Sequence, residues 1–248
     1  MDFKKYFYWC LALGLLVSCN ENTNTEELNV DMGLEYFPLT VGKYIVYQLD
    51  SITYDITASG TIRDTVQGFL KEEIIDTSFN NLGAVVAVIQ RSVKADWADA
   101  WEVKDIWQAS IVDNQAQKVE ENLRFIKLVF PATAGTTWNG NIFIPDDLDI
   151  AIAGERIDFF KNWSYEIESV GKAEIIGGKN FEEVATVFQA DNENLIELRY
   201  SMEKYAKNVG LVYRELKILD TQDINSTEPW EVKAKNGLIL RQELLEHN

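Results

Sequence analysis

From Tyr36 onward the chain is built of short apolar runs, many alternating with polar residues, rich in Val, Ile, Tyr, Phe and Thr and interrupted by Gly, Asn and Asp pairs. A period of two puts successive side chains on opposite faces of a strand, and β-branched and aromatic residues suit that pleated surface. The pattern therefore restricts the chain to a mainly β fold of antiparallel sheets. Residues 44–50 and 70–75 read as half-buried strands with a turn at Ser59-Gly60 between them. Phe79-Asn80-Asn81-Leu82-Gly83 supplies residues that accept positive φ and leads into the apolar run 84–90, a hairpin into a buried strand. Residues 123–130 (LRFIKLVF) are apolar on both faces and read as a central strand that Pro131 stops. Asn236-Gly237, flanked by 230–235 and 238–244, predicts a type I′ hairpin over 229–246. Helical signal is thin. Ile150, Ile152, Ile157 and Phe160 make 147–161 the best place for a short helix, and at most one or two are expected.

A second pattern is repetition. FPLTVG at 37–42 returns as FPATAG at 130–135. Glu73-Ile74-Ile75, Phe79 and VVAVIQ (85–90) are then echoed in order by Glu174-Ile175-Ile176, Phe181 and VATVFQ (184–189). Two ordered echoes predict tandem halves, 37–129 and 130–219, forming a sandwich or an open half-barrel. The alternative is one good turn used twice, since Pro ends strand pairing and Gly permits positive φ.

The N-terminus sets the compartment. Lys4 and Lys5 precede an apolar run at 6–17, and polar residues 20–25 follow. A spanning helix needs ~20 apolar residues to cross ~30 Å, so this run is a secretory signal, residues 1–18. Leu16-Val17-Ser18-Cys19 resembles the lipobox of bacterial lipoproteins. The resemblance implies cleavage before Cys19 and acylation there, with palmitate among the chains. Each buried methylene contributes ~0.8 kcal/mol, so several chains hold the protein on a membrane. Residues 19–34 then form a flexible tether to a β-rich domain at 35–248. EYFPLTVGKYIVYQLDS, FNNLG, FPATAGTTWNGN and YAKNVGLVYREL are, with this anchor, similar to a family of Bacteroidota envelope lipoproteins that has no settled biochemical activity. That likeness implies a lipid-anchored β domain at the cell envelope, on the outer membrane, and transfers no catalytic residue.

Composition excludes several chemistries. Forty Asp and Glu against twenty-three Lys and Arg give a net charge of −17, and losing the signal, which carries Asp2, Lys4 and Lys5 and hence +1, leaves −18. Such a domain repels nucleic acid. Cys10 leaves with the signal and lipid consumes Cys19, so no thiol remains for a disulfide or a nucleophile. His247 is the sole histidine. Near the C-terminus, where fraying is expected, it rules against a Ser-His-Asp triad or His-ligated zinc. No phosphate loop or nucleotide fingerprint occurs, and neither cofactor nor metal is expected. The acidic stretch Pro145-Asp146-Asp147-Leu148-Asp149 lacks EF-hand spacing and reads as a solvated loop before a Ca²⁺ site. Trp97, Trp101 and Trp107 share one strand parity. Together with Trp138 and Trp163 they are either core or a sugar-stacking platform. The function expected is that of a non-enzymatic binding or structural module taking a glycan, lipid or protein. The alternatives are a lipid-carrier half-barrel holding acyl chains and a glycan hydrolase using a carboxylate pair.

Overall fold

The alternating runs become strands longer than their apolar cores. Strands β1 (Tyr44–Thr57) and β2 (Gly60–Phe79) pair along the whole of β1, turning at Ser59-Gly60, where Gly60 takes φ 125°. The computed structural model that shows this describes residues 30–248 except Leu82 and Asp146. There follow β3 (Val85–Lys94), β4 (Glu102–Val112), β5 (Gln115–Glu120), β6 (Leu123–Val129), β7 (Thr137–Trp138), β8 (Asp149–Ile152), β9 (Glu155–Asp158), β10 (Tyr165–Ile176), β11 (Lys179–Glu193), β12 (Glu197–Ala206), β13 (Gly210–Asp220) and β14 (Asn236–His247). A 3-10 turn at Leu34–Tyr36 and a single helical turn, α1 (Trp230–Lys233), are the helical elements among the described residues.

Twelve of these strands make one antiparallel sheet in the order β6-β5-β4-β3-β2-β1-β14-β13-β12-β11-β10-β7, and β8 pairs with β9 separately. The sheet curls until its ends almost meet: Ile126 N–H donates to Gly140 O at 2.8 Å, and Trp138 Nε1 donates to Ile126 O at 2.8 Å. The result is a nearly closed barrel, with 123–129 last in the pairing order although it was expected to be central. Phe125, Ile126 and Leu128 are nonetheless buried, which explains its two-sided apolar pattern. Ile152 and Ile157 of the β8–β9 hairpin pack on Leu216 and Ile218 of β13.

Three local expectations are corrected. Residues 149–158 form the β8–β9 hairpin instead of a helix. Ala153 and Gly154 take φ 50° and 88°, and the isoleucines follow a period of two. Residues 229–246 form no hairpin. Pro229 and Trp230 start α1, and Asn236-Gly237 open β14, which pairs with β13 on one side and β1 on the other. Gly237 is needed for close approach, because a Cβ there would lie 1.9 Å from Ile218 O. The folded unit also starts at Asp31, inside the span expected as tether: Ala132 N–H donates to Met32 O, and Lys207 lies 3.7 Å from Asp31. Residues 1–18, Cys19 and the tether up to residue 29 lie outside the described residues.

The two Phe-Pro-x-Thr-x-Gly turns do the same structural work. Phe37 and Phe130 are both buried in one apolar cluster, and Gly42 and Gly135 take φ 87° and 82°. Gly42 N–H donates to Ile74 O (2.8 Å) and Ile74 N–H returns to Lys43 O (2.9 Å). Gly135 N–H donates to Ile167 O (2.7 Å) and Ile167 N–H returns to Thr136 O (3.0 Å). Ile45 pairs with Glu72 as Trp138 pairs with Tyr165, so β1–β2 and β7–β10 share one register over equal separations in sequence.

Candidate functional site

Alternation points one face of each strand into the barrel, and on several strands that face is charged. Glu72 of β2, Arg91 of β3, Asp105 of β4, Lys118 and Glu120 of β5, Lys127 of β6, Glu203 of β12 and Arg214 of β13 form one continuous ionic network. Arg91 bridges Glu72 (3.2 Å) and Asp105 (3.1 Å), and Lys118 joins Glu72 (2.9 Å) to Glu120 (3.8 Å). Lys127 lies between Glu120 (3.1 Å) and Glu203 (3.0 Å), while Arg214 reaches the same two acids at 3.2 and 3.5 Å. Gln189 and Tyr205 also donate to Glu203, and Ser201 donates to Gln189, which completes its coordination. Glu203 is 0% exposed and Lys127 2%. Arg91 also reaches the exposed Glu121 at 3.9 Å; among the inward-facing groups four cations balance four acids, as burial of charge requires.

The electrostatics follow from this pairing. Burial alone would raise the Glu120 carboxyl, but Lys127, Arg214 and Lys118 overcome it and hold the group well below the ordinary carboxylate range. Glu72 is also lowered, Lys118 and Arg91 outweighing its burial. Burial, with Glu203 nearby, pushes the Tyr205 and Tyr165 hydroxyls well up, so both stay protonated and donate.

Above this floor lies a cavity of about 80 Å³, room for several waters. Phe37, Pro38 and Leu39 of the first Phe-Pro turn, Ile74, Ile89 and Leu211 form its apolar wall, with Glu72, Lys118, Glu120, Lys127 and Glu203 beneath. Lys43 pins the wall, its Nζ donating to Asn208 O at 2.8 Å. An outer cleft of about 470 Å³ shares Phe37, Pro38, Leu39 and Lys43 with this cavity.

The sequence-predicted aromatics do not form one platform. Trp97 and Trp101 lie in the β3–β4 connection, outside any strand, so shared parity does not apply to them. Trp97 is 51% exposed, packs edge-on against Phe69, and with Trp101 flanks Lys94 Nζ at 4.0 and 4.7 Å. Trp107 is buried in β4, stacked under Arg91 at 3.6 Å. Trp138 and Trp163 sit at the barrel seam, both near Tyr165. His247 is paired in β14 opposite Ile45 and its ring lies 5.9 Å from Phe181, so it is held within the sheet. Cys19 lies outside the described residues. Among those residues, no three His, Cys, Asp or Glu side chains stand close enough to hold a metal ion.

None of the interior charges stood out in the sequence, where acids are abundant. One signal was available: Lys127 sits between Ile126 and Leu128 in a run apolar on both faces, where a lysine must be buried and needs a partner.

No protein-family model matches the sequence, and no curated protein does. Two crystal structures are similar in chain course: a candidate exported protein with a YmcC-like fold from Bacteroides fragilis NCTC 9343 (14% identity, TM-score 0.41) and a candidate lipoprotein from Parabacteroides distasonis ATCC 8503 (13%, 0.38). Each comparison covers 86% of this chain and 98% of the other.

Proposed function

We propose that the chain is a lipid-anchored envelope protein, held through Cys19 on the outer membrane, that works by non-enzymatic binding of a small neutral amphiphile beneath Phe37–Leu39. One observation carries the reading: the cavity has apolar walls over a floor whose charges already neutralise one another. A net charge on a ligand would have to displace a partner from the paired charges of the floor, whereas one polar group can join the network while an apolar body meets the wall. The lowered Glu120 and Glu72 carboxyls support binding over hydrolysis, since a general acid needs a raised pKa. The charged groups that line the interior argue against storage of an acyl chain.

Linear primary alcohols of increasing length, added to the full-length protein, test this by thermal unfolding. A short alcohol should raise the melting temperature, and Ala109→Leu, which fills the cavity, should abolish the rise. No shift at any length, or a shift indifferent to Ala109→Leu, refutes it. Anchoring is tested separately: Cys19→Ala should move the protein from the membrane to the soluble fraction and remove palmitate labelling.

A further inference from the structure

A second cleft, of about 320 Å³, opens at the barrel seam between the loop after β7 and the turn after β9. Asn139, Asn141, Asp158, Phe160, Asn162 and Trp163 border it. We propose that this cleft is a subsite for one neutral pyranose ring.

The polar groups are fixed and unspent. Tyr165 O–H donates to Asn141 Oδ1 at 2.9 Å, which sets the amide so that Nδ2 is its free end. That Nδ2 is buried and has no partner. Asn139 Oδ1 accepts from Asn141 N–H at 3.0 Å, leaving a second amide NH₂ beside the first. Asp158 gives its backbone carbonyl to Arg199 Nε, and its carboxylate meets no protein donor among the described residues. Asn162, at φ 57°, is held through its carbonyl by Asn192 Nδ2 at 2.8 Å, so its side chain is also available. Lys161, at the rim, is paired with Glu197 at 3.0 Å and adds no net charge.

The apolar part of the cleft is equally specific. Phe160 and Trp163 meet edge to face at 5.3 Å, and Phe159 stacks on Trp163 at 6.1 Å, so the rings hold one another in place. Amide donors and a carboxylate acceptor beside aromatic carbon match a pyranose, whose hydroxyls both donate and accept and whose C–H face is apolar. An anion would be repelled by Asp158, a metal ion would leave the amide donors unmet, and a purely apolar ligand would strand Asn141 Nδ2. The volume falls at the lower end of the range for small-molecule sites, about 300–1,000 Å³.

The test is calorimetric titration of the full-length protein, in a detergent without sugar head groups, with glucose, galactose, mannose and N-acetylglucosamine. At least one should bind saturably. Asp158→Asn, which keeps the shape of the side chain, and Asn139→Ala should each weaken that binding by about tenfold or more at unchanged melting temperature. Absence of saturable binding by all four sugars, or binding that both variants leave intact, overturns the proposal.

Discussion

The barrel consists of two six-stranded meanders with one order of strands and two different interiors. The first, β1 to β6, brings Glu72, Arg91, Lys118, Glu120 and Lys127 inward. The second, β7 and β10 to β14, brings mostly apolar and aromatic groups, such as Tyr165, Ile167, Ala185 and Val187, with Glu203 and Arg214. The shared register shows where they trade places. At the position of Tyr47 the second meander has Gly140, and at the position of Glu72 it has Tyr165. A Cβ on Gly140 would lie 2.4 Å from the Tyr165 ring, so the glycine is the room that the tyrosine occupies. The large ring thus stands on opposite strands of the two matching pairs, and the first meander, with Glu72 in place of a ring, lines the cavity. Backbone hydrogen bonding thus sets the architecture while the inward side chains remain free to differ.

The comparison breaks most sharply where the meanders meet across the interior. Glu203→Ala leaves Lys127 and Arg214 sharing Glu120 alone, one buried positive charge uncompensated, and equilibrium urea unfolding should show a loss of about 3–5 kcal/mol. A loss below about 1 kcal/mol would mean that water reaches the network and that the two interiors are not electrostatically joined.

Acid should repeat part of that effect. Glu120 and Glu72 have folded pKa values below the unfolded carboxylate value of about 4.3, so below that pH the unfolded chain binds more protons. Their stabilisation is complete at neutral pH and falls as pH drops through the unfolded value toward the folded one. Melting temperature followed from about pH 6 to pH 3 should decline, and Glu120→Gln should flatten the slope. An unchanged slope in that variant would remove Glu120 from the account.

Gly140→Ala tests the exchanged ring. It should cost about 1–3 kcal/mol by overpacking against Tyr165, and Tyr165→Leu in the same chain should recover part of it. Additive losses would show that the glycine serves the backbone alone. Smallest and most symmetrical are Gly42→Ala and Gly135→Ala: both glycines have positive φ with open space around the absent Cβ, so each should cost about 1 kcal/mol in the same assay. Costs that differ by more than about 1 kcal/mol would mean that the two turns, alike in hydrogen bonding, are not alike in strain.

How much of this could be read from the sequence depended on range. Turns with a local cause were legible: Gly60, Gly83, Gly42 and Gly135 all have positive φ where Gly was expected to supply it. Asn236-Gly237 misled because a glycine required by a neighbouring strand looks the same as one required by a turn. The 147–161 segment misled because Ile150, Ile152 and Ile157 fit a loose helical spacing as well as a short hairpin. For Trp97 and Trp101, parity was applied to residues that lie in a connection. The ionic floor needs partners far apart in sequence, Lys127 with Glu203 above all, and no local pattern carries that pairing. The echo of Glu73-Ile74-Ile75 in 174–176 pointed to the right hairpins, but hydrogen bonding aligns Ile74 with Ile167.

The placement of β14 has a consequence in time. Of the twelve strands of this sheet, the last in sequence lies between β1, the first, and β13, and joins the two meanders along Ile45–Tyr54. A chain leaving a ribosome or crossing a membrane in N-to-C order therefore cannot close its barrel until residues 236–247 arrive. Contacts this distant in sequence are slow to form. Until then β1 presents an open edge, able to pair with other chains. A chain shortened before Asn236 would keep two meanders and lose the strand between them.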